Sequence, residues 1–238
     1  TRMGMQFPLA TTAPQQIWQE PAGAISRVFF STAMTGPGTC TSPPRTVVVT
    51  VNEPTSITTQ PVNQTVCTDK VATFSVAAAG SGPFSYQWQL STNGGNPPWN
   101  NVANGGVYSG ATSANLTITA PPVSMNGYFY RCIITGAAPC AAVTSFSKLL
   151  TVNPLPTVVI AANPYTSLFP GLTTTLSSTV APVAAATYTW LRNGSVVSGA
   201  TTGTLIVDVD GMGDYRLRVT DVNGCTNTSN QITIKDSV

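Results

Sequence analysis

Residues 128–156 read YFYRCIITGAAPCAAVTSFSKLLTVNPLP, and the fold follows from that stretch. An aromatic-led run is followed by a Gly-containing turn, a cysteine, a Ser/Thr-rich stretch and a second run alternating apolar residues with Thr. Short alternating runs between turn signals are the pattern of half-buried β-strands. The phrase recurs at residues 28–54 (VFFSTAMTGPGTCTSPPRTVVVTVNEP) and at residues 215–238 (YRLRVTDVNGCTNTSNQITIKDSV). Its cysteines, Cys40, Cys140 and Cys225, lie 100 and 85 residues apart, the length of an all-β sandwich domain. A unit repeating at that interval marks an array of similar domains.

Composition agrees. The 238 residues allow one to three domains, and only 8% are charged. Low charge argues against a solvated disordered chain. Abundant Thr and Val fit a pleated surface, where a restricted χ1 costs least. A net charge of +2 without a basic cluster gives no reason to expect nucleic acid. No apolar run approaches the roughly 18 residues that span a membrane, so no membrane insertion is expected. The chain opens at Thr1 without a signal peptide and reads as a mature or partial product.

Working outward divides the chain into residues 1–53, 54–153 and 154–238. The second unit holds an edge strand over 57–66 that tolerates Pro61, then strands over 71–78, 84–90 and 114–120, and the closing pair. Trp88 sits where a sandwich buries a tryptophan on its third strand, and Tyr130 precedes Cys132 by two residues, as in a tyrosine corner. The third unit repeats this with Trp190, a tight Asn193-Gly194 hairpin, Tyr215, and Leu217 in place of the cysteine. The first unit has the closing pair but too few residues upstream. Trp18 precedes Phe30 by 12 residues, whereas Trp88 precedes Tyr130 by 42. This unit is expected to be incomplete, finished by an upstream segment or by a strand from a neighbouring molecule.

QPVNQTVC (60–67), FSYQWQLSTNGG (84–95), YSGATSANLTIT (108–119) and NGYFYRCIITG (126–136) resemble the immunoglobulin-like repeats of long secreted surface proteins of Bacteroidota. TYTWLRNGSVVSGAT (187–201) and YRLRVTDVNGCTNTSNQITI (215–234) resemble them too. The resemblance implies tandem immunoglobulin-like β-sandwiches, adhesin-like, exported by the type IX secretion system. In such proteins similar repeats precede a C-terminal sorting domain, which this sequence does not contain. Asp236-Ser237-Val238 also resembles the short O-glycosylation motif of that group, with Ser237 as acceptor.

Five cysteines in an exported protein point to disulfides. The pairing favoured by position is Cys67 with Cys140, leaving Cys132 buried as a small apolar side chain. Cys67 with Cys132 is the alternative. Cys40 and Cys225 have no evident partner.

Catalytic chemistry is scarce. The absence of histidine removes the commonest general base and most zinc sites. Eight acidic residues offer no spacing that isolates a carboxylate pair, and no phosphate-binding or dinucleotide fingerprint occurs. The chain is therefore read as non-enzymatic and without a cofactor. Asp208, Asp210 and Asp214 in DVDGMGD superficially suggest a calcium loop, against a plainer reading as a strand end and Gly-rich turn. Trp99 in NPPWNN is a candidate contact with surface glycans or a residue packed over the sheet end, and Trp18 a candidate interface residue. These readings converge on a secreted or cell-surface stalk or filament. Its partners would be its own copies, neighbouring domains of a longer chain, or surface glycans.

Overall fold

A computed structural model describes residues 27–32, 45–50, 52–181 and 185–237. In the first unit, β1 (Arg27–Thr32) and β2 (Arg45–Thr50) pair antiparallel, with Phe30 opposite Val47. Trp18 and Cys40 lie outside the described residues.

The second unit runs β3 (Ser56–Thr59), β4 (Gln64–Cys67), β5 (Val71–Ser75), β6 (Ala77–Ala79), β7 (Ser85–Ser91), β8 (Asn100–Asn101), β9 (Tyr108–Ser109), β10 (Asn115–Thr119), β11 (Phe129–Thr135), β12 (Val143–Thr144) and β13 (Lys148–Asn153). One layer pairs β5, β10 and β9, with β3 on β6; the other is ordered β4-β13-β11-β7-β8. Every second residue of β5 and β11 is buried, which puts Phe74, Tyr130, Cys132 and Ile134 between the layers beside Trp88. Phe74 packs tilted on Tyr130 at 5.0 Å and on Trp88 at 6.3 Å between ring centroids. Trp88 Nε1 donates to the Ser113 carbonyl at 2.9 Å, so its one polar atom is satisfied inside the core.

The third unit repeats the plan with β14 (Thr157–Asn163), β15 (Ser167–Leu168), β16 (Thr173–Ala181), β17 (Ala185–Arg192), β18 (Ser195–Val196), β19 (Thr204–Asp208), β20 (Gly213–Asp221), β21 (Thr226–Thr228) and β22 (Ile232–Asp236). Its layers are β14-β16-β19 and β15-β22-β20-β17-β18. Trp190, Tyr215 and Leu217 are buried here, and Trp190 Nε1 donates to the Thr202 carbonyl at 2.8 Å. The two units also share a serine: Ser145 Oγ accepts from Cys132 N–H, and Ser229 Oγ from Leu217 N–H, each at 2.9 Å. Asn193 (φ 51°) and Gly194 (φ 82°) turn β17 into β18, the left-handed pair that a two-residue hairpin with matching twist requires.

Two local departures from the sequence reading have physical causes. The single edge strand expected over 57–66 is two strands. Pro61 has no N–H to donate, pairing stops there, and the chain crosses from β6 in one layer to β13 in the other. Secondly, the tyrosine corner forms at Tyr215, whose hydroxyl donates to the Gly211 carbonyl four residues upstream. Tyr130 instead shares a hydrogen bond of 2.9 Å with the Tyr108 hydroxyl.

The chain is thus all-β, with tandem immunoglobulin-like sandwiches. Each has its own hydrophobic cluster, one from Ala72 to Val152 and the other from Val158 to Ile234.

Candidate functional site: the junction between two sandwiches

Strand β4 runs parallel to β13, and their register sets Cys67 opposite Asn153, the last residue of β13. Cys67 therefore stands at the end of the second unit from which the chain leaves. Thr68 N–H donates to the Asn153 carbonyl at 3.1 Å and closes that end. Beyond it, Asn153-Pro154-Leu155-Pro156 leads into β14.

From the third unit, the loop after β20 comes back to the same place. Buried Asp221 shapes that loop. Its Oδ1 accepts from Asn223 N–H at 2.9 Å and from Cys225 N–H at 2.8 Å, while its own N–H donates to the Cys225 carbonyl. Held this way, Cys225 forms a disulfide with Cys67, across 158 residues of sequence and 5.7 Å between Cα atoms. Asn227 Nδ2 donates to the Pro156 carbonyl at 2.8 Å, so the linker is also tied to the third unit by a side chain.

This corrects the expected pairing of Cys67 with Cys140, and the alternative with Cys132. Strand β11 ends at Thr135, opposite Ser85, and its following loop reaches the end of the sandwich where the chain enters. There Asn52 Nδ2 donates to the Ala138 carbonyl at 2.7 Å, and the Cys140 thiol donates to the Glu53 carbonyl at 3.3 Å. Cys67 and Cys140 occupy opposite ends of one sandwich. Cys132 lies at mid-strand opposite Trp88, fully buried and unbridged. Burial pushes its thiol up to about 12. Cysteine spacing alone gave no sign of a bond across a unit boundary. The available signal was the register of two alternating runs, 64–67 against 150–153, which puts Cys67 beside the linker.

Asp208 and Asp214 are each engaged in hydrogen bonds within their own unit. Asp208 caps a short 3₁₀ turn (Val209–Gly211), its Oδ1 accepting from Asp210 N–H and Gly211 N–H at 3.1 Å each. Asp214 Oδ1 accepts from the Thr233 hydroxyl at 2.6 Å. Among the described residues no three carboxylate or thiol side chains gather where a metal ion could be held.

Trp99 is half-buried, with the Arg131 guanidinium carbon 4.1 Å from its ring centroid. Arg131 Nε donates to Gln89 Oε1, and Gln89 Nε2 to Asn101 Oδ1, both at 2.9 Å. These side chains form a polar row across β11, β7 and β8, with the indole at its edge. At the far end of the third unit, Ser237 lines an open depression with Tyr165, Phe169 and Leu172, and its N–H donates to the Leu168 carbonyl at 3.2 Å.

Comparison with curated proteins returns no match. Solved structures similar to this chain include the N-terminal four immunoglobulin domains of Dscam1 isoform 6.9, at 16% identity and a TM-score of 0.40. That match covers 79% of this chain and 47% of the other. A three-immunoglobulin-domain structure of titin, an E-to-A mutated variant, is 15% identical with a TM-score of 0.44, covering 77% and 65%. The chain spans about half the length of the Dscam1 structures it matches. Residues 56–154, the second sandwich, match a family described as a domain of unknown function, DUF8696.

Proposed function

We propose that this chain is a non-enzymatic segment of a secreted or cell-surface protein, a stalk or filament piece that sets distance and direction between whatever it joins. The observation that carries this reading is the Cys67–Cys225 disulfide, which fastens two consecutive sandwiches to one another. A bond spanning a domain boundary serves fixed geometry, because it restrains the one place where tandem domains otherwise bend. A structural disulfide also belongs to an oxidising compartment outside the cytosol. No helix among the described residues is long and apolar enough to cross a membrane. The resemblance of the repeats to exported Bacteroidota surface proteins supports the same placement and suggests type IX secretion. Residues 1–53 are read as the closing part of a sandwich completed by other chain, which gives self-association or neighbouring domains as partners. Ser237 is a candidate O-glycosylation site in this reading.

Small-angle scattering of the oxidised protein tests the proposal. One fixed arrangement of the second and third units is expected, with a broader distribution of sizes for Cys67→Ser and Cys225→Ser. An unrestrained distribution in the oxidised wild type would overturn it. A second reading, glycan contact, is favoured by the row of Trp99, Arg131, Gln89 and Asn101. Such a row combines an aromatic edge with amide hydrogen-bonding groups. A glycan-array signal abolished by Trp99→Ala would support it, and a blank array would remove it. A spacer beside a catalytic domain outside this sequence fits the first reading equally.

A further inference from the structure

Two loops of this protein are built to one plan, and only one of them carries its bond. Cys225 follows the core residue Tyr215 by ten positions, and Cys140 follows Tyr130 by ten. Tyr215 and Tyr130 are counterparts: each is buried, and each lies two residues before the strand position, Leu217 or Cys132, whose N–H donates to a serine hydroxyl. Both cysteine sulfurs rest against the carbonyl of the last residue before a proline in the incoming linker. Cys225 Sγ is 4.0 Å from the Asn153 oxygen, and Cys140 Sγ is 3.3 Å from the Glu53 oxygen. Asn153 precedes Pro154, and Glu53 precedes Pro54. In the third unit this place is bonded to Cys67, at the exit end of the preceding sandwich. In the second unit the corresponding thiol is free and half-buried.

We propose that Cys140 is a second inter-unit disulfide site, whose partner is a cysteine carried at the Cys67 position by the chain segment that completes the first unit. The neighbouring junction supplies the precedent: the same loop position and the same contact with the linker carbonyl, already bridged. Cys40 is not that partner. Cys40 follows Phe30 by ten residues, the same spacing as Cys140 from Tyr130 and Cys225 from Tyr215, so in sequence it is the counterpart of those two and not of Cys67. The bond forms by thiol–disulfide exchange. The Cys140 thiol and the incoming thiol each lose a proton, the pair gives up two electrons, and an oxidising disulfide, of a dithiol oxidase or of glutathione, leaves as two thiols. Closing it anchors the completing segment covalently to the second sandwich, whether that segment comes from upstream in the same protein or from another copy.

The proposal rests on the reading of residues 1–53 as part of a sandwich, and the tests separate the two. Secreted protein containing this chain in its full context is alkylated without reduction, digested and mapped by mass spectrometry. The expected result is a Cys140 peptide linked to a cysteine that lies, like Cys67, about 20 residues before a core tryptophan. Cys140 recovered as an alkylated thiol, or joined to Cys40, overturns the lock even where the first unit is whole. Linkage to a cysteine outside any sandwich strand overturns the reading of residues 1–53 instead. The 238-residue chain is also incubated, folded, with oxidised glutathione. An adduct at Cys140, none at buried Cys132, and loss of that adduct in Cys140→Ser are expected. A folded chain that takes up no glutathione at Cys140 also overturns the proposal, because its thiol would be out of reach of any partner.

Discussion

Cys132 shows how far burial alone can change a side chain. It sits unbridged in the core opposite Trp88, with its N–H bonded to Ser145 and its thiol raised to about 12 by desolvation. An unfolded thiol ionises near pH 8.5, so above that pH the unfolded chain releases a proton that the folded chain keeps. Stability is full below about pH 8.5 and falls as pH rises toward 12, by about 1.4 kcal/mol per unit at most. Tyr130, also raised by burial and by the Tyr108 hydroxyl, adds a loss of the same sign above about pH 10. In a Cys140→Ser background, urea midpoints measured at pH 7.5 and pH 10 are expected to drop, and Cys132→Val to flatten the drop. A second residue-scale test concerns Thr174, which is buried with a hydroxyl that has no hydrogen-bond partner. Thr174→Val keeps the shape and removes the unsatisfied group, so a gain of about 1 kcal/mol in denaturant unfolding is expected.

Turns and caps, more than strands, distinguish the third unit from the second. Asp208 holds the N–H groups of Asp210 and Gly211 while Tyr215 closes on Gly211 from the other side. Asp208→Ala is expected to cost about 1 kcal/mol, as loss of a capping oxygen does, and calcium is expected to leave the melting temperature of wild type unchanged. The strands themselves were legible: period-two alternation located them, Trp88 and Trp190 marked the core, and Asn193-Gly194 specified its own turn. Pro61 was legible as an interruption but not as a change of layer. The missing N–H says where pairing stops, and only the partners of 56–59 and 64–67 say where it resumes.

At the scale of the whole molecule, the junction was the least legible part. Local pattern specifies which residues face a core, and the two cores, around Trp88 and Trp190, follow from it. A cysteine at the end of a strand carries no such pattern. Its partner depends on which end of the sandwich it occupies and on what stands beyond that end, and here another unit stands beyond it. The loop ordered by Asp221 and the short Pro-containing linker bring that unit's Cys225 to Cys67. Asp221→Ala removes the carboxylate that orders the loop, and a larger fraction of reduced Cys67 and Cys225 after oxidative refolding is expected by thiol counting.

The same bond decides how the protein answers a pull. Tension applied at the two ends reaches Cys67, crosses through sulfur to Cys225, and leaves the intervening 158 residues of sequence separation outside the force path. Both cores lie almost wholly inside that shielded loop. In single-molecule stretching, the oxidised chain is expected to yield only the short extensions of the flanking segments. Reduction puts both sandwiches into the force path, and their mechanical unfolding should then release on the order of 500 Å of further contour length, at about 3.5 Å per residue. The disulfide thus makes a pair of sandwiches nearly inextensible, and a reductant would turn the same pair into slack.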